Sequence, residues 1–175
     1  MRAINELVEY FDNRPTFLMG HSRGATMSMF VGVTNPHVFA FAPVMPSHIN
    51  GAYLGIVDEE WKKAGARKEG RDLPPGGGPK ERYFELPYSF FEDQVRYDMS
   101  DELTACKKPK LFIFGNWDKA ATPDRVKKIY DITAKPKELY ELNSDHNYLH
   151  HKDLIDEVNM VIGNFLGKYE NLVAV

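Results

Sequence analysis

The sequence has one cysteine, Cys106, among its 175 residues, so no internal disulfide can form, and the plain reading of that thiol is a partly buried side chain. No apolar run approaches the roughly 20 residues that a membrane span needs. The opening segment, MRAINELVEYF, mixes acidic with apolar residues and lacks the unbroken apolar core of a secretion signal. Together these absences point to a reducing, cytoplasmic setting. A basic excess is also lacking: the formal charge is −3, which gives no electrostatic reason to expect nucleic acid as a partner. The HEXXH zinc motif is absent. HNYLHH supplies His146, His150 and His151, with two of them at i, i+4, but no third ligand is evident, so neither a metal nor another cofactor is expected. No internal repeat is visible. What remains is an ordinary globular mixture, 43% hydrophobic and 27% charged, long enough for one domain with a real core.

Periodicity divides the chain. Ile4, Leu7, Val8 and Phe11 form one apolar stripe of a first helix, ended by Asn13 and Pro15. Residues 16–19 form a short buried strand that stops at Gly20, and a helix is expected over about 23–32. Residues 38–42 read as a second strand, closed by Pro43 and Pro46. Regular alternation is then lost from about 47 to 105. That stretch holds Trp61, a charged run from Lys62 to Arg71, the breaker cluster PPGGGP at 74–79 and the aromatic segment YFELPYSFF. Its aromatics either pack an insertion onto the body or form a lid over a pocket, with Tyr88 a candidate substrate contact. Order returns with a strand at 111–114. Next come a helix opened by Thr122 as N-cap with Pro123 behind it, and a strand at 137–142. After a loop, NSDHNYLHH, a last helix carries Leu154, Val158, Val161, Ile162, Phe165 and Leu166. Strands alternating with helices predict an α/β fold, a mostly parallel sheet flanked by helices. The expected division is 1–46, an inserted cap at 47–105, and 106–175.

Between the first strand and the second helix lies GHSRG, a G-x-S-x-G pattern with Gly20, Ser22 and Gly24 in place and His21 before the serine. A serine on a sharp strand-to-helix turn sits in a strained backbone conformation, and side chains two residues to either side are expected to collide with neighbouring backbone. The turn lifts Oγ clear of the sheet, and the Arg23 N–H at the helix start can donate to a developing oxyanion. A serine hydroxyl needs a base, and that base needs a carboxylate to hold its tautomer. Asp118 follows the strand LFIFG and His146 follows the next strand, giving the order Ser, Asp, His, with each at a strand's C-terminal end. Asp145 and Asp124 are the rivals for the acid, and His150 and His151 for the base. His21 reads as packing near the elbow; His37 and His48 have no supporting context. Asn116 and Trp117 border the acid loop as candidate pocket residues, with packing the plainer role for the tryptophan.

With these motifs in view, the chain resembles the α/β-hydrolase superfamily, in the branch with GHSxG elbows and an inserted cap that includes serine-aminopeptidase-like and esterase-like members. GHSRGA is similar to that family's elbow, GNWDKAATP to its G-x-x-D-x-x-x-P acid loop, and SDHNYLHH with the helix after it to its histidine loop and final helix. The resemblance implies Ser22 as nucleophile, Asp118 as acid and His146 as base. It also implies an acyl-enzyme route on a small-molecule or peptide ester, thioester or amide. Acyl transfer to an alcohol or amine, and a non-catalytic binding module or inactive fragment, are the alternatives. The family's full fold has strands ahead of the elbow strand, so the resemblance implies an N-terminally truncated chain of weak activity, without the loop that usually gives a second oxyanion N–H. One edge of the elbow strand is then unpaired, open to homodimerisation or to completion by another chain.

Overall fold

The computed structural model describes residues 1–47, 59–72, 81–169 and 171. The PPGGGP cluster and His48 lie outside these residues. The chain divides into two compact units, Met1–Ile49 with Met99–Val175, and Asn50–Asp98.

The larger unit is built on a parallel sheet of order β1-β2-β5-β6, comprising β1 (Thr16–His21), β2 (Val38–Val44), β5 (Lys110–Gly115) and β6 (Lys137–Leu142). Strands buried on both faces need continuous apolar side chains. The inner strands VFAFAPV and KLFIFG supply them and are buried almost throughout. Outer strands β1 and β6 are only half-buried. Among the described residues, no strand pairs with the outer flank of β1. Helix α2 (Arg23–Thr34) carries β1 to β2, and α6 (Pro123–Ile132) carries β5 to β6. The terminal helix α7 (Lys152–Gly167) buries Val158, Ile162 and Phe165 from the stripe read in the sequence. No helix among the described residues is long and apolar enough to cross a membrane.

Three differences from the sequence reading have simple causes. Strand β2 runs through Pro43 to Val44. The flanking N–H groups on that side still bond toward β5, Phe41 to Pro109 O at 3.2 Å and Met45 to Ile113 O at 2.7 Å, so proline removes one rung and leaves the strand intact. The first helix, α1 (Arg2–Tyr10), does not bury its whole stripe: Val8 is buried, while Leu7 and Phe11 are exposed. The helix ends one residue before Phe11, and Asp12 and Asn13 then turn the chain through positive φ. Thr122 does occupy the N-cap of α6 with Pro123 behind it, but its hydroxyl makes no capping bond.

Lysines close the C-termini of α2 and α6, as the exposed carbonyls there favour. Lys108 Nζ donates to Gly32 O and Asn35 O at 2.8 and 2.6 Å, and Lys137 Nζ to Tyr130 O at 2.6 Å. Lys110 is the unusual one. It is fully buried at the start of an inner strand and donates to Cys106 O (2.6 Å) and Ala134 O (2.8 Å). Burial pushes its ammonium down to about 8, only partly offset by attraction to Cys106.

The smaller unit contains α3 (Glu59–Ala64), an antiparallel hairpin of β3 (Ala66–Asp72) and β4 (Glu81–Pro87), and α4 (Tyr88–Gln94). Trp61 is its buried anchor. The indole N–H donates to Leu86 O at 3.0 Å, and Tyr88, Phe91 and the Arg67 guanidinium pack on its ring. Helix α5 (Ser100–Ala105), which the sequence reading groups with the insertion, instead packs on α2 and α6, and Leu103 O accepts the Ala134 N–H at 3.0 Å.

Candidate functional site: a hydroxyl, an imidazole and a carboxylate at the strand ends

Ser22 stands between β1 and α2 with φ 56° and ψ −118°, a left-handed φ that a residue with a side chain adopts only at a cost of about 1–3 kcal/mol. The turn is held by the Ser22 N–H donating to Val44 O (2.9 Å) and by Ser22 O accepting the Thr26 N–H (3.1 Å). Gly20 is required here. A Cβ on it would lie 2.2 Å from the Gly24 carbonyl oxygen and 2.8 Å from the Ala25 nitrogen. Gly24 corrects the expectation of symmetry, because a Cβ there meets nothing within 4 Å. It lies in the first turn of α2, where its own carbonyl group and the Ala25 nitrogen are what crowd Gly20. Arg23 is the first residue of α2, at the positive end of that helix.

The acid loop leaves β5 at Gly115. A Cβ on Gly115 would meet Ser144 O at 2.5 Å and Asp145 O at 3.1 Å, so the missing side chain lets this loop approach the one after β6. Asp118 is buried in the loop. Its Oδ1 accepts the N–H groups of Ala120 and Ala121 at 2.7 and 2.8 Å, leaving Oδ2 for His146. Burial alone would raise this carboxyl; the His146 bond and charge and the two backbone N–H groups outweigh it and hold it below the usual carboxylate range.

From the loop after β6, His146 closes a continuous line. Its Nδ1 is 2.7 Å from Asp118 Oδ2 and its Nε2 is 2.8 Å from Ser22 Oγ. With Asp118 acting as acceptor, Nδ1 carries the proton and Nε2 accepts from the serine hydroxyl. His21 lies against the imidazole, ring centroids 4.8 Å apart, and meets the buried Tyr148 ring in a T-shaped contact at 5.2 Å.

The other sequence candidates lie elsewhere. Asp145 is exposed and accepts the Asn147 N–H, and Asp124 sits in the first turn of α6. His150 and His151 are exposed, with His151 at the start of α7; His37 is exposed too. Trp117 is not a packing residue: it is 68% exposed. Asn116 is half-buried, and its side chain ties the acid loop to Asn143 and Ser144. Tyr88 stacks on Phe91 in the smaller unit. Gly115 and the positive φ of Met45, 52°, are features of the site that the sequence reading missed, although the glycine stands in the quoted acid-loop motif. Among the described residues, no cluster of three or more His, Cys, Asp or Glu side chains is arranged to hold a metal ion.

This parallel sheet, with a serine elbow after one strand and the other polar groups after two more, is the α/β-hydrolase fold. The similarity extends to particular structures. The esterase domain of a Rhodothermus marinus protein matches at 22% identity and a TM-score of 0.67, over 94% of this chain and 65% of that one. Mouse α/β hydrolase domain-containing protein 10 matches at 17% identity and a TM-score of 0.73, over 96% and 68%. The monoacylglycerol lipase of Paleococcus ferrophilus matches at 17% identity and a TM-score of 0.67, over 94% and 72%. The chain thus spans 65% of the length of the first of these. No family model and no curated protein matches the sequence.

Proposed function

We propose that this chain carries the nucleophile, base and acid of a serine hydrolase that cleaves carboxylic esters, thioesters or amides through an acyl-enzyme. The observation that carries this reading is the unbroken line from Ser22 Oγ through the His146 ring to Asp118, with both contacts at hydrogen-bond distance. As Ser22 Oγ bonds to the acyl carbon, His146 Nε2 takes its proton. Asp118 holds the ring in the tautomer that can accept it and stabilises the imidazolium. The Arg23 N–H, at the positive end of α2, donates to the carbonyl oxygen as it becomes an oxyanion. When the acyl–leaving-group bond breaks, the Nε2 proton passes to the leaving group. Water then attacks the acyl-enzyme, with His146 again as base, and releases the acid and free Ser22.

Similar structures named as an esterase and a monoacylglycerol lipase make carboxylic esters the first substrates to test. Hydrolysis of short-chain p-nitrophenyl esters by the purified chain should fall at least about 10³-fold in Ser22→Ala. Equal hydrolysis by the parent and Ser22→Ala would reject the proposal.

A further inference from the structure

Trp117 is among the most exposed large apolar side chains, yet it is held in place. Its backbone N–H donates to Ser144 O at 3.0 Å, and its indole Nε1 donates to Asn143 Oδ1 at 2.9 Å. The same oxygen accepts from Asn116 Nδ2 at 3.2 Å, and Asn116 N–H donates to Leu142 O at 3.0 Å. The loops after β5 and β6 are therefore stitched together, with the indole fixed on the seam. A large ring held open to water by polar bonds at its edge forgoes burial of its apolar face. Such a fixed, open face suits a platform that a ligand covers.

Two hollows among the described residues border this indole. One, of about 590 Å³, includes Asp145, Asp153 and Glu157 in its wall but touches neither Ser22 nor His146. The other, of about 520 Å³, runs from Trp117 past Lys119 and Ala120 to Asp145 and His146. Ser22 is not among the residues that line this hollow; His146 borders it and links it to Ser22, which its Nε2 faces. In an acyl transfer the group that receives the Nε2 proton must sit within hydrogen-bond reach of His146 as it leaves. One lysine and one aspartate in the wall balance each other, which favours an uncharged occupant over an ion.

We propose that Trp117 and the hollow beside His146 form the leaving-group subsite, and that it takes an uncharged aromatic alcohol stacked on the indole. This rests on the hydrolase reading above. In the balanced step, the bond from Ser22 Oγ to the acyl carbon forms as the acyl–O(aryl) bond breaks, and the serine's proton reaches the aryl oxygen through His146.

The test compares 2-naphthyl butyrate with n-butyl butyrate, using the chain, Trp117→Ala and Trp117→Phe. Trp117→Ala should lower kcat/KM for the naphthyl ester about tenfold more than for the butyl ester, and Trp117→Phe should keep most of the preference. Equal losses on both esters would overturn the subsite. Binding of the product, 2-naphthol, followed by NMR, reads the subsite without turnover. The parent should bind it, and Trp117→Ala should bind it about tenfold more weakly. No binding to the parent, or unchanged affinity in Trp117→Ala, would overturn the subsite whatever Ser22 does. Naphthol binding that depends on Trp117, without turnover of either ester, would reject ester hydrolysis and the leaving-group role, and leave Trp117 as a platform for aromatic ligands.

Discussion

The carbonyl oxygen of Gly24 occupies the space in which Gly20 would need a Cβ, the two only 2.2 Å apart. Helix α2 thus starts in direct contact with the strand that precedes it, and Ser22 is the residue forced out of the gap. The contact is one-sided, and the two glycines should respond differently to the same change. Gly20→Ala must push backbone atoms aside and should destabilise the fold by about 3 kcal/mol. Gly24→Ala adds a methyl to open space in a helix and should be neutral or stabilising by up to about 1 kcal/mol. Urea denaturation midpoints separate the two, and equal losses would contradict this account of the elbow.

Gly115 sets the other close approach. Alanine there would press on Ser144 O and Asp145 O, both backbone atoms of the loop that carries His146. Displacing that loop by about an ångström should lower ester hydrolysis by about 10²-fold. Much of this loss should remain at temperatures where circular dichroism shows the variant folded. Full activity in a folded Gly115→Ala would mean that the glycine matters for packing alone.

Asp118→Asn keeps an oxygen for the Ala120 and Ala121 N–H groups but can no longer fix the His146 tautomer by accepting from Nδ1. The expected outcome is a loss of about 10³–10⁴-fold in kcat. Asp145→Asn, at the exposed neighbour, should leave kcat within about threefold of the parent. Interchanged effects would move the acid to Asp145.

Lys110 gives a pH prediction of unusual sign. In the unfolded chain its ammonium persists to about 10.5, whereas in the folded chain it persists only to about 8. The unfolded state therefore binds more protons between those values, and stability rises with pH across the window and is flat below it. The contribution is about 3 kcal/mol. In Lys110→Met the rise is absent, so the stability difference between parent and variant should change by this amount between pH 7.5 and 10.5. A constant difference would contradict the burial of a charged lysine.

Much of this was legible in the chain because the features were local. The inner strands are continuous apolar runs, α7 keeps a helical stripe over four turns, and the serine, aspartate and histidine each follow a strand. The hairpin of the smaller unit was not legible. ARKEGRD in β3 has no apolar alternation, because in a two-stranded ribbon the side chains described, those of 66–70, are largely exposed and burial imposes no pattern on them. The exposure of Leu7, Phe11 and Trp117 was hidden for the opposite reason. Apolar side chains suggest burial, and only the packed structure distinguishes a core residue from one left facing water. The asymmetry of Gly20 and Gly24 depends on which way a Cβ points at a helix start, and a symmetrical motif conceals it.

Whether the Ser22 hydroxyl is activated is tested most directly by reacting the folded chain with a fluorophosphonate and mapping the adduct by mass spectrometry. A single adduct on Ser22 is expected, abolished by Ser22→Ala and slowed at least about 10²-fold by His146→Ala. A folded chain that takes no label, or labels at the same rate without His146, would contradict the assignment of these residues as nucleophile and base.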